Sequence, residues 1–259
     1  MSHVAFSGTG RPGDDSTERN QLQLMGVFRV RSGGRPALVL PHAASRLLAY
    51  LAIFGATGRH ELAGALWLDT VQRRASADLR TALWRLRKAT GALVQVNRST
   101  VALSDTVTVD LHAVEAWALA AIAATATDAT SHSPPPGTGR TLLPGWDEEW
   151  LLQPRERVRL LQVQANESLG YRLLAAGDPA GALPYALQAV QSDPMRESAN
   201  QLMVEIHLRQ GNLIEARRHY ERYRRLLRDE LAIEPGIGIT SLIDRSASLN
   251  PPYRATATR

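Results

Sequence analysis

The 259-residue chain has no cysteine, and Lys88 is its only lysine. The missing cysteines exclude a disulfide framework and thiolate chemistry, and a cytosolic home is the simplest reading of that absence. No apolar run approaches the roughly 18–20 residues that span a bilayer, so no membrane partner is expected. The first twenty residues, MSHVAFSGTGRPGDDSTERN, lack a basic start followed by an apolar core. They are not a secretory signal, and their Gly, Ser, Asp and Arg content reads as a disordered tail over 1–20. The seven histidines show no metal-ligand spacing. GTGRPG is not a phosphate loop, because no strand precedes it and no Gly-Lys-Ser follows. The acids of WDEEW (146–150) stand at the head of a helical pattern, where they complement the helix dipole. With no constellation of nucleophile, base and stabiliser, the chain is not expected to be an enzyme, and no cofactor or metal is expected.

What is present is an uneven distribution of charge. The net charge is only +5, yet residues 20–110 carry 12 Arg and Lys against 5 Asp and Glu. Residues 111–259 carry 16 against 17. An excess of cations in one third of the chain points to an anionic partner for that third, most often nucleic acid. A hydrophobic content of 44% is enough for one large domain or two ordinary ones.

Hydrophobic periodicity divides the first part into short elements. LQLMGVFRV (22–30) and PALVL (36–40) predict two strands around the Gly33-Gly34 turn. Ala44, Leu47, Leu48 and Leu51 follow the i, i+3, i+4, i+7 pattern of a helix that Gly55 or Gly58 stops. Leu62, Ala65 and Leu66 mark a short second helix, and ASADLRTALWRLRKAT (75–90) is the third. LVQV (93–96) and VALS (101–104) form a hairpin, and TVTVDL (106–111) alternates as a further strand. Strands, three helices and a two-stranded flap make a winged helix-turn-helix over 21–110.

The second part, 111–245, predicts an all-α domain. Residues 112–123 are Ala-rich and helical, 125–140 form a Pro/Ser/Thr/Gly loop, and helical patterning runs from 146 to about 245. LLAAGDPAGAL (173–183) aligns with HLRQGNLIEAR (207–217) at an offset of 34, pairing Leu174 with Leu208, Gly177 with Gly211 and Ala182 with Ala216. That period, with small residues where helices approach, is a tetratricopeptide-like signature. The preceding stretch, 147–177, supplies further helices. A second basic run, 217–230, reads as a long exposed helix with Tyr220 and Tyr223 partly buried. Residues 246–259 read as a flexible tail. The expected architecture is therefore mainly α with small β parts, a winged helix followed by a tetratricopeptide-like domain.

On a helical wheel of the third helix, Leu79, Leu83 and Leu86 cluster with Ala75 and Ala82 beside them. The opposite arc holds Arg74, Ala77, Thr81, Trp84, Arg85 and Lys88, with Arg80 and Arg87 on the shoulder. Asp78 is the only acid between 70 and 104. A solvated helix mixes both signs in i,i+4 pairs, whereas this face suits a groove lined by phosphates. As a recognition helix it places Ala77 and Thr81 against thymine methyls or base edges, and Arg74 and Arg85 against guanine or phosphate. Arg80, Arg87 and Lys88 are phosphate clamps, which position without specifying. Arg98, at the hairpin tip, reaches the adjacent minor groove. Trp84 either joins the DNA-facing arc or packs against the wing or the neck of the domain, and packing is favoured for so large a side chain.

These residues carry a family resemblance over roughly 21–245. LAGALWLDT, LRTALWRLRKA, Gly145-Trp146 with Glu149-Trp150-Leu151, and Leu227 with Glu230-Leu231 and Glu234-Pro235-Gly236 resemble the SARP-type antibiotic-regulatory activators of bacteria. In the wing, NRSTVALS replaces the Gly-Tyr-Arg-Leu-like strand of many members. The resemblance implies a winged helix followed by a bacterial transcriptional activation domain. It also implies promoter direct repeats as the double-stranded DNA target, a homodimer on DNA, recruitment of RNA polymerase through its sigma subunit, and control of a secondary-metabolite gene cluster. Localisation would be cytoplasmic and nucleoid-associated. A different class of function, a protein-interaction adaptor with the winged helix as a docking module, shares the same fold and predicts no salt-dependent affinity for DNA.

Overall fold

The computed structural model describes residues 20–32, 38–90, 93–124 and 133–249. They form small sheets and many helices, the mainly α class expected. The chain divides into two compact units after Asp110, and each is described on its own.

In the first unit, β1 (Asn20–Gln23) and β2 (Arg29–Arg31) pair antiparallel, Leu22 opposite Val30. The stretch 22–30 is thus not one strand: it turns within itself, and Gly26 takes a positive φ of 82° at that turn. Leu38 makes a single bridge to Val30, while the Gly33-Gly34 turn lies outside the described residues. β6 (Val107–Val109) runs parallel to β1 on its other side, so the sheet order is β2-β1-β6. The carboxylate of Asp110 then accepts the backbone N–H groups of Leu24 at 2.7 Å and Met25 at 3.0 Å. It ties the end of the unit to the turn after β1.

Helix α1 (His42–Phe54) buries Ala44, Leu47, Leu48 and Leu51, the stripe that its spacing predicts. It stops at Gly55, whose φ of 77° favours glycine. Helix α2 (Arg59–Leu66) buries Leu62, Ala63 and Leu66. Ala63 rather than Ala65 completes its face, because so short a helix packs on little more than two turns. Helix α3 (Gln72–Thr90) buries Ala75, Leu79, Ala82, Leu83 and Leu86. The hairpin follows as β4 (Val94–Val96) and β5 (Thr100–Leu103), with Val94 opposite Leu103. A two-residue strand, β3 (Thr57–Gly58), adds to β5 and makes the wing three-stranded.

The second unit opens with α4 (Asp110–Ala123), whose Trp117, Ala118 and Ala121 pack on Ala165 and Leu169. Residues 125–132 of the expected loop lie outside the described residues. A 3-10 turn at Glu149–Leu151 leads directly into α5 (Leu152–Ala175). The stretch 147–177 therefore folds as one long helix rather than several. Pro154 does not break it, since the first turn has no N–H to donate within the helix. Helices α6 (Pro179–Ser192), α7 (Glu197–Arg209), α8 (Leu213–Leu231) and α9 (Ile237–Leu249) complete the unit. Helix α9 continues past residue 245, where the sequence pattern ends.

The residues at an offset of 34 occupy equivalent places. Gly177 and Gly211 end α5 and α7 with φ of 81° and 74°. Ala182 and Ala216 are fully buried, Ala182 against Leu202 and Ile206, Ala216 against Val204 and Tyr220. Tyr220 and Tyr223 are buried, more deeply than the partial burial expected of a long exposed helix at 217–230.

Candidate nucleic-acid interface

The outer face of α3 follows from its inner one. Once five apolar side chains fix the helix against α1 and α2, the 3.6-residue repeat turns the other positions outward. Arg74, Arg80, Thr81, Trp84, Arg85, Arg87 and Lys88 are all exposed, and Ala77 is half-buried. Arg74, Ala77, Thr81, Arg85 and Lys88 share one arc. Among the described residues, none of Arg74, Arg80, Arg85, Arg87 and Lys88 forms an ion pair. In the second unit, arginines 157, 159, 196, 218, 224 and 228 have carboxylate partners, while among the described residues Arg140, Arg209, Arg217, Arg222 and Arg225 form no ion pair. The positive field of α3 is therefore uncompensated by its own surface.

Two side chains on this face have internal contacts. The Thr81 hydroxyl donates to the Ala77 carbonyl at 3.1 Å, which leaves its lone pairs facing outward. Trp84 is 63% exposed, and Lys88 Nζ stands 5.3 Å from its ring centroid. The packing favoured for Trp84 from its size is not what occurs: its wheel position lies opposite the leucine stripe, and position outweighs bulk.

Arg98 is exposed at the wing tip, where Asn97 N–H donates to Thr100 O at 2.9 Å and closes the turn. The Arg59 N–H donates to Ser99 O at 2.9 Å. That bond and the β3–β5 pairing bring the start of α2 against the wing. No local pattern in the sequence marks Arg59 as a neighbour of the wing tip, because a two-residue strand has no periodicity to reveal it. Arg73, a further exposed cation of α3, takes the wheel position beside Trp84.

In the second unit the resembling motifs have structural work. Arg155 donates to Leu142 O at 2.9 Å, to Leu143 O, and to Trp146 O at 2.7 Å. It holds the turn carrying Gly145 (φ 78°) and Trp146 against α5. Glu234 accepts from Arg224 at 2.7 Å and Arg228 at 2.6 Å, and its carboxyl is held below the usual range chiefly by Arg224 and then by Arg228. Gly236 N–H donates to Glu197 at 2.8 Å, fixing the entry to α9. Leu231 ends α8, and Glu234-Pro235-Gly236 build the α8–α9 corner. Among the described residues, no group of His, Asp and Glu could hold a metal ion, and no helix is long and apolar enough to cross a membrane.

Residues 137–245 match the bacterial transcriptional activator domain family. Among solved structures, the chain is similar to Mycobacterium tuberculosis EmbR in complex with a low-affinity phosphopeptide. The TM-score is 0.67 and the identity 19%, over 91% of this chain and 66% of that one. This chain thus spans 66% of the length of the solved chain, and at that identity the likeness is one of fold. No curated protein matches the sequence. The family match and the shared fold agree with the resemblance to SARP-type activators read from the motifs.

Proposed function

We propose, from the match of residues 137–245 to the bacterial transcriptional activator domain family, that the chain is a sequence-specific, DNA-binding transcriptional activator. Its first unit reads promoter direct repeats through α3 and the wing. Arg74, Ala77, Thr81 and Arg85 face base edges, and Arg80, Arg87, Lys88 and Arg98 hold phosphates. Trp84 lies in the contact face beside Lys88. The second unit, with its tetratricopeptide-like repeat, recruits RNA polymerase through sigma, and two copies bind side by side on DNA. The regulated genes form a secondary-metabolite cluster, and the protein works in the cytoplasm at the nucleoid. The domain family is one of transcription factors rather than enzymes.

The observation that carries this reading is the unpaired cationic face of α3, built opposite a fully buried leucine stripe. A face of that kind keeps its charge for a partner, and phosphates in a major groove match its spacing. The test is a gel shift at low salt with DNA upstream of the genes surrounding its own. A complex is expected, and Arg85→Ala weakens it by about 1–3 kcal/mol if Arg85 reads a guanine. Absence of any complex at low salt would leave the adaptor reading in its place.

A further inference from the structure

The second unit contains a cavity of about 410 Å³ between the 139–142 turn, the first half of α5 and the last turn of α6. Its walls are built deliberately from backbone ties. Gln162 is buried on α5, and its Oε1 accepts from Gly139 N–H at 2.6 Å while its Nε2 donates to Arg140 O at 3.4 Å. These two bonds hold the backbone at 139–140 to the helix. Gly139 has a φ of 78°, and a Cβ there would lie 2.7 Å from the Gln188 amide carbon. The positive φ favours glycine there, and the amide of Gln188 stands directly against the turn.

The charges of the lining are unevenly matched. Arg159 is neutralised: it donates to Glu156 at 2.8 and 2.9 Å and to Asp193 at 2.9 Å. Arg155 spends its bonds on the carbonyls of Leu142, Leu143 and Trp146, which orient it but carry no charge to offset it. Arg140 is exposed at the rim and has no ion pair among the described residues. Three guanidinium groups thus stand against two carboxylates, Glu156 and Asp193, and the surplus positive charge lies on the Arg140 and Arg155 side of the concave space, where low-dielectric walls strengthen its field. Gln188 and Gln191 line the α6 side with amide donors and acceptors.

We propose that this cavity binds a small organic anion, a carboxylate or phosphate ester, with its charged head on Arg140 and Arg155 and its polar body against Gln188 and Gln191. A guanidinium pair is the usual partner of either head group. The volume falls within the roughly 300–1,000 Å³ of small-molecule sites, more than an inorganic ion fills. The site uses no residue of the α3 face, so it stands or falls separately from DNA binding.

The test is calorimetric titration of the full chain with succinate, with phenyl phosphate and with uncharged succinamide. Saturable one-to-one binding of at least one anion is expected, and none of succinamide. Binding of succinate alone identifies a carboxylate ligand, and of phenyl phosphate alone a phosphate ester. Arg140→Glu, at an exposed position with no ion-pair partner, should weaken the anion about ten-fold or more without changing the unfolding curve. Gln191→Leu, also exposed, should weaken it less. Failure of both anions to saturate, or wild-type affinity in Arg140→Glu, overturns the proposal.

Discussion

Lys88 Nζ lies 5.3 Å from the centroid of the Trp84 indole, and both side chains stand in solvent on the outer face of α3. An exposed cation–π contact contributes only about 0.5–1 kcal/mol. Trp84→Ala should therefore change folding stability by less than about 1 kcal/mol. Trp117 is the contrasting case, 6% exposed and packed with Ala165 and Leu169. Trp117→Ala should cost about 3–5 kcal/mol. Urea unfolding of the two variants checks the difference, and equal losses would mean that Trp84 is packed.

The tie between Asp110 and the β1 turn carries a second expectation. One carboxylate accepts two backbone N–H groups, from Leu24 and Met25. Leu24 and Met25 are themselves fully buried, so these donors have no water to turn to. Hydrogen bonds to a charged acceptor contribute about 1.5–3 kcal/mol each. Asp110→Ala should destabilise the first unit by about 3–6 kcal/mol, with Asp110→Asn intermediate because it keeps one acceptor. A loss below about 0.5 kcal/mol in denaturant unfolding would remove Asp110 from this role.

The sequence made the buried faces of α1 and α3 legible because each helix is long enough for leucine spacing to repeat. The same held for the offset of 34: a glycine ending a helix and an alanine at a close approach are local requirements that leave a local mark. The turn within 22–30 left a weaker mark, since Met25-Gly26 is followed at once by β-formers that extend the apparent strand. β3 left none. At the candidate site the wheel turns Arg74, Arg80, Arg85, Arg87 and Lys88 outward, where they lie, but it could not weigh Trp84, whose size argued for burial and whose angle argued against it. The tie of Arg59 to Ser99 depends on a pairing between residues about forty positions apart, which no local pattern records.

His219 gives a pH dependence. Burial, then the charge of Arg222, then His207, lowers its pKa to about 4 from an ordinary 6.5. In the folded chain its Nε2 pairs with Asn200 Oδ1 at 2.9 Å, and Asn200 in turn donates to Pro194 O and Arg196 O, both at 2.9 Å. The unfolded chain takes up a proton near pH 6.5, and the folded chain resists until about pH 4. The stability that neutral His219 contributes is thus complete above about pH 6.5 and falls as the pH drops toward 4, by about 3 kcal/mol. His207, also lowered by burial, acts in the same direction. His219→Gln should flatten the stability profile between pH 6.5 and 4, measured by denaturant titration at each pH. An unchanged slope would assign the dependence to other groups.

The central claim is that the outer face of α3 meets phosphates. Fluorescence anisotropy of a promoter duplex, titrated with the full chain from about 50 to 200 mM salt, measures the number of phosphates neutralised. Four contacts, from Arg80, Arg87, Lys88 and Arg98, give a slope of log affinity against log salt of about −3.6 and a loss of about two orders of magnitude over that range. The triple variant Arg80→Ala, Arg87→Ala, Lys88→Ala should lower the slope by about 3 while the unfolding curve stays unchanged. A triple variant that binds with the wild-type affinity and the wild-type slope would contradict the account.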